Sequence, residues 1–172
     1  YACDWRREYE NAERQVARAF GCRVFISEVN ENRIRVASSL GFDVVNPAKE
    51  DIQLLLIAQF YQGVDHVVMA VGNQPAVDQA FSLVRRGGKV LFFAAGYPSP
   101  SLDLDVNKIH YGNWHLIGTG GANVEILSGQ PVSEHGTVKT AQLISHRVPL
   151  EDYEKAFELA ETPGNYRVSL MP

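Results

Sequence analysis

The stretch Arg23–Arg33, RVFISEVNENR, decides how the rest of the chain is read. A short apolar run ends in an acidic residue, Glu28, and five residues on, at the start of a helical pattern, stands Arg33. RVFISE reads as a strand and ENRIRVASSL as a helix stopped by Gly41, with the short strand DVVN after it. Pro47 is placed to open the next helix, KEDIQLLLIAQFYQG. VDHVVMAVG reads as a buried strand, PAVDQAFSLV as a helix, and Gly87-Gly88 as the turn into KVLFFAAG. Upstream, Asp4 can cap a helix with Trp5, Tyr9, Val16 and Phe20 on one stripe, stopped by Gly21. Strands alternating with helices of about 10–15 residues predict an α/β fold with a doubly wound parallel sheet.

In such a sheet, an acid at the tip of the second strand accepts hydrogen bonds from an adenosine ribose. Glu28 holds that position, and Arg33, one helical turn later, can cover the outer side of the ribose. What normally comes before is missing. No apolar strand with a G-x-G-x-x-G turn precedes RVFISE; the chain reads YACDWRREYENAERQ instead. Without those glycines the backbone cannot approach a pyrophosphate closely. The missing strand would be the central one, and its buried side chains are worth about 1.5–3 kcal/mol each. Against a total stability of about 5–15 kcal/mol, an isolated monomer of the ordinary fold should be marginal.

The second half is less regular. YPSPSLDLDVN is a proline-rich loop running into an alternating segment with Leu102, Leu104 and Val106 on one face. NWHLIGTGG reads as a strand ending in glycines, and no period is convincing between Ala122 and Thr140. LISHRVPL, the helix EDYEKAFELAE and the strand YRVSLM follow. With 172 residues, 21% charged and 45% hydrophobic, one ordinary globular domain over 1–172 is expected. A net charge of −4 argues against nucleic acid or an anionic membrane as partner. Cys3 and Cys22 make neither a disulfide framework nor a zinc quartet, so a reducing, cytoplasmic setting is expected.

Four stretches in register carry a resemblance: VARAFGCRVFISEVNENRIRVASSLGFDVVNP, VDHVVMAVGNQPAVDQAFSLVRRGGKVLFFAAG, IHYGNWHLIGTGGA and LISHRVPLEDYEKAFELAETPGNYRVSLMP. Together they resemble the cofactor domain of zinc-type medium-chain dehydrogenases, the branch of alcohol, sorbitol and threonine dehydrogenases. The resemblance implies a Rossmann-like domain lacking its first strand, with a nicotinamide cofactor lying across the strand tips. It carries Glu28 and Arg33 over as ribose contacts, and Val71 and Gly72 as contacts to the two ribose rings. Ala95 and Gly96, then Gly118, Thr119 and Gly120, match backbone that holds the nicotinamide. Arg167 matches a basic residue near the pyrophosphate. A carboxylate at residue 28 repels a 2′-phosphate, so NAD is expected over NADP.

The family's zinc-binding catalytic domain is expected to be absent. The five histidines show no ligand spacing, so neither a metal site nor a catalytic residue is assigned. The resemblance further implies a homodimer through the edge segment Leu102 to Val106. The domain would orient NAD for hydride transfer to or from a secondary alcohol and be inactive as this chain alone. The rival reading is a non-catalytic assembly module with a re-paired or partner-completed sheet and a residual nucleotide groove. Each site residue also has a plainer role: Glu28 as a surface carboxylate, Arg33 as a solvated cation, the glycines as strand-end turns.

Overall fold

The computed structural model describes residues 9–60, 62–120, 144–162 and 164–172. It divides into two compact units, Tyr1–Glu50 with Asn123–Pro172, and Asp51–Ala122. In the first, helix α1 (Tyr9–Ala19) leads to strand β1 (Phe25–Ser27), helix α2 (Glu31–Ser39) and strand β2 (Asp43–Val45). Strands β1 and β2 pair in parallel, Phe25 opposite Asp43 and Ser27 opposite Val45. Ile26, Ala37 and Phe42 form the core here. The Arg18 guanidinium of α1 donates to the carbonyls of Leu40 and Gly41, at 3.0 and 3.2 Å, and lies over the Phe42 ring. Those bonds close the open C-terminal end of α2.

The same unit contains strand β6 (Ile144–Pro149), a 3-10 turn (Leu150–Asp152), helix α6 (Tyr153–Glu161) and strand β7 (Arg167–Met171). β6 and β7 pair in parallel and α6 crosses between them.

The second unit runs from helix α3 (Ile52–Gln59) through strand β3 (Val64–Met69), helix α4 (Gln74–Leu83) and strand β4 (Val84–Phe92) to helix α5 (Val106–Gly112) and strand β5 (His115–Gly118). Its sheet is parallel, in the order β3-β4-β5. Met69, Val77, Ala80, Val84 and the fully buried Val90 form its core. Phe81 meets Phe92 and Trp114 at ring-centroid distances of 6.3 and 5.8 Å. Each such side chain, fully buried, contributes about 1.5–3 kcal/mol.

The architecture is α/β with parallel strands, as the periodicity predicts. The described strands fall into three ladders rather than one. Asp4 and Trp5, and the stretch from Ala122 to Thr140, lie outside the described residues.

Three local expectations are corrected. Helix α3 starts at Ile52, not at Pro47. Asn46 Oδ1 takes the Ala48 N–H and makes a turn, and Asp51 then caps the helix by accepting from Gln53 and Leu54. Gly87-Gly88 is not a connecting turn but lies inside β4, where Val84 pairs with Val64 and Lys89 with His66. The intervening residues bulge out of the ladder. Arg85 therefore sits in β4 and pairs with Asp65 at 2.6 Å. Finally, the alternating segment is not a strand: Leu102–Asp105 has no ladder partner and Val106 is the first residue of α5. Asp105 accepts from the Asn107 N–H, and a cap formed that way starts a helix where alternation suggests a strand.

Candidate functional site

In the first unit, Glu28 follows β1 directly and stands at the entrance to α2. The N–H groups of Val29 and Asn30 donate to its Oε1, at 2.8 and 2.9 Å. Its Oε2 faces Arg33 Nη1 at 3.5 Å. Asn30, not Glu28, caps α2, accepting from the N–H groups of Asn32 and Arg33. The Glu28 and Arg33 side chains are only 11% and 14% exposed, which excludes a freely solvated pair. A carboxylate offers about four acceptor directions. Two on Oε1 are filled from the backbone, so further hydrogen bonding falls to Oε2. Arg33 Nε is buried with no partner among the described residues.

Two neighbours of this corner gave no signal in the sequence. Tyr166 donates its hydroxyl to the Arg33 carbonyl at 3.2 Å. Gly164 lies at φ +97°, where a Cβ would stand 2.8 Å from Asn32 Nδ2. The loop leading into β7 therefore packs on the first turn of α2. Arg167 opens β7 opposite Ile144 and is exposed.

In the second unit, ladder register places the remaining candidates together. β3, β4 and β5 run parallel, so their C-terminal ends share one rim: Met69 opposite Phe92, and Phe92 opposite Gly118. Val71 and Gly72 follow β3, Ala95 and Gly96 follow β4, and Thr119 and Gly120 follow β5. The Phe93 and Ala94 N–H groups donate to the Met69 carbonyl, and Thr119 N–H to that of Phe92. In an open parallel sheet this rim is where ligands bind.

The glycines there are not equivalent. A Cβ on Gly96 would overlap the Gly72 carbonyl, and one on Gly72 would overlap the Ala95–Gly96 peptide. The two strand ends touch backbone to backbone, which only glycine permits. Gly118 and Gly120 have nothing within 4 Å of a would-be Cβ. Beside the Gly72–Gly96 contact lies a cavity of about 330 Å³, lined by Met69, Val77, Phe92 and the segment Ser99–Leu102. Gln74, at the start of α4, pins that segment. Its Oε1 accepts the Ser101 N–H at 2.9 Å and its Nε2 donates to the Ser101 carbonyl at 3.1 Å. A polar residue one place before Pro75 gave no hint of that role.

Among the described residues no three His, Cys, Asp or Glu side chains form a metal-binding group. No described helix is long and apolar enough to cross a membrane. His66 is an exposed strand residue, and His110 packs edge-on against Tyr111.

Comparison with known proteins agrees with this geometry. Residues 13–132 match the family described as zinc-binding dehydrogenase. L-threonine 3-dehydrogenase of Bacillus subtilis is 28% identical over 164 residues, 91% of this chain and 46% of that protein. L-galactonate-5-dehydrogenase of Escherichia coli is 27% identical over 147 residues, 83% of this chain and 42% of that protein. The chain thus spans less than half the length of these curated relatives. A putative zinc-binding dehydrogenase from Clostridium scindens superposes with a TM-score of 0.83 at 16% identity, over 98% of this chain and 54% of that one. Another from Sinorhizobium meliloti, solved bound to NADP, gives 0.80 at 21% identity, over 92% and 48%. These structures share the Rossmann-like fold, and the family match covers well over half of the sequence. The chain belongs to the zinc-binding dehydrogenase family.

Proposed function

We propose that these 172 residues are the cofactor-binding part of an NAD-dependent alcohol or polyol dehydrogenase. The observation that carries the reading is the backbone contact of Gly72 with Gly96 at the tips of two parallel strands, beside a cavity large enough for a planar ring. Val71, Gly72, Ala95, Gly96, Gly118, Thr119 and Gly120 serve the nicotinamide side. Glu28 and Arg33 serve the adenosine ribose, Oε2 of Glu28 accepting a hydroxyl while Arg33 steadies that oxygen. Arg167 serves the pyrophosphate. The dinucleotide, when bound, supplies the hydride acceptor; the chain's own residues orient it and shield it from water.

The carboxylate of Glu28 favours NAD over its 2′-phosphorylated form by charge repulsion. No group of three His, Cys, Asp or Glu among the described residues could hold a zinc ion, and we assign activation of a secondary alcohol to residues beyond the described ones. The 172 residues then form one cofactor domain that gives no turnover alone, resides in the cytoplasm and pairs as a homodimer through Leu102–Val106. The relatives named for threonine and galactonate oxidation support the reaction class.

Hydrogen exchange with and without NAD tests the proposal. Slower exchange at residues 28–33, 71–72, 95–96 and 118–120 is expected. Unchanged exchange at all of them refutes the reading.

A further inference from the structure

Gln74 opens α4 two residues past Gly72 and is exposed, yet protein atoms take every hydrogen-bonding position of its side-chain amide. Such an amide has two N–H donors and an oxygen with two lone pairs. Nε2 donates to Asp78 Oδ1, one helical turn on, at 2.9 Å and to the Ser101 carbonyl at 3.1 Å. Oε1 accepts from the Ser101 N–H at 2.9 Å and from the Ser101 hydroxyl at 3.3 Å. An ionised carboxylate only accepts, so Asp78 holds the nitrogen on its own side and leaves the oxygen to Ser101. Gln74 thereby binds both backbone polar groups of a residue 27 positions away, as a paired strand would.

The bound segment has a second hold on the rim. A Cβ on Gly96 would stand 2.7 Å from Pro100 Cδ, so the proline ring lies against the glycine whose backbone meets Gly72. Ser99–Leu102 is thus a strap, tied at Gly96 and at the first turn of α4, that forms one wall of the cavity. Met69, Val77 and Phe92 form the opposite lining and are set by the core of this unit. The strap belongs to no ladder, and Ser99 and Ser101 are exposed. Its place therefore depends on one side chain to a degree that the rest of the lining does not.

We infer that Gln74 is a positioning residue for the nicotinamide end of the dinucleotide, setting the width of the cavity by tying the strap to α4. The inference rests on reading the rim as a cofactor site. Gln74 acts through Ser99–Leu102, and the Glu28–Arg33 corner shares no hydrogen bond with that strap. The two ends of the ligand should therefore respond differently when the tether is cut.

The test is isothermal titration of Gln74→Ala with NAD and with ADP-ribose, which keeps both ribose rings and the pyrophosphate but lacks the nicotinamide. NAD affinity should fall about tenfold and ADP-ribose affinity should stay within about twofold of wild type, since a wall no longer held in place must be ordered on binding. Gln74→Glu loses both donated bonds and sets a second carboxylate against Asp78, so it should reproduce the loss. Hydrogen exchange without ligand should quicken about tenfold at Ser101 and stay unchanged at residues 64–69, which shows an intact sheet with a released strap. Equal loss of both ligands, or no loss of NAD in either variant, overturns the role of Gln74 and leaves the cofactor reading standing. Unchanged exchange at Ser101 overturns it as well. A wild-type chain that binds neither NAD nor ADP-ribose overturns the cofactor reading itself, and with it the ligand role of the strap.

Discussion

The rim of the β3-β4-β5 ladder and the corner around Glu28 build candidate ligand contacts in opposite ways. On the rim, backbone makes the site: two strand ends meet at glycines, and register along three strands fixes where each end lies. At the corner, a side chain makes it. Glu28 is held by two backbone N–H groups and Arg33, above a ladder only three residues long. The first arrangement tolerates no added atom. The second tolerates changes that keep an acceptor in place. Rigidity therefore comes from packing in one region and from local hydrogen bonding in the other.

The largest effect is expected on the rim. Gly96→Val would force apart two backbones in contact, at a cost of about 3 kcal/mol or more. Chemical denaturation should show it, and Gly118→Ala, with open space around it, should cost less than about 0.5 kcal/mol. If the two variants behaved alike, the close approach at Gly96 would not be the feature that shapes the rim.

At the corner, Glu28→Ala removes the acceptor for two backbone N–H groups and leaves a largely buried guanidinium without its carboxylate. A loss of about 2 kcal/mol is expected in urea unfolding. Glu28→Gln keeps one acceptor oxygen and should lose less than half as much, and the proposed preference for NAD over NADP should disappear with the charge. Equal losses for the two variants would mean the charge, not the hydrogen bonding, holds this corner.

Gly164→Ala places a side chain at positive φ and against Asn32, with an expected loss of about 1–2 kcal/mol. Thermal unfolding reads it, and an unchanged midpoint would show that the loop before β7 does not rest on α2.

The smallest effect concerns pH. Lys49 hydrogen-bonds to Glu31 and, with its charge, holds the Glu31 carboxyl below its ordinary value of 4.5. A carboxyl depressed in the folded state adds stability above pH 4.5 and loses it as pH falls through the folded value. Lys49→Gln should therefore lower stability slightly at neutral pH and leave it almost unchanged at pH values below the folded one, so that the acid limb flattens. Both groups are well exposed, so the difference is small.

The parallel α/β architecture was legible in the sequence because apolar runs such as VDHVVM and RVFIS are separated by helical patterns with recognisable caps. The position of the glycines at the strand ends was equally legible, since each directly follows an apolar run. Helix α5 was not, because LDLDV alternates and alternation outweighed the Asp105 cap. The bulge at Gly87-Gly88 was missed for a related reason: paired glycines read as a turn unless the partner strand is known. The roles of Gln74 and Tyr166 depend on partners 27 and 133 residues away, a separation no local pattern encodes. The shielding of Glu28 was also invisible, because a strand-end carboxylate ordinarily faces water.

Isothermal titration of the chain with NAD, and separately with NADP, tests the central claim most directly. The account predicts NAD binding with a Kd below millimolar and weaker binding of NADP. No heat from NAD, or NADP bound as tightly as NAD, would contradict it.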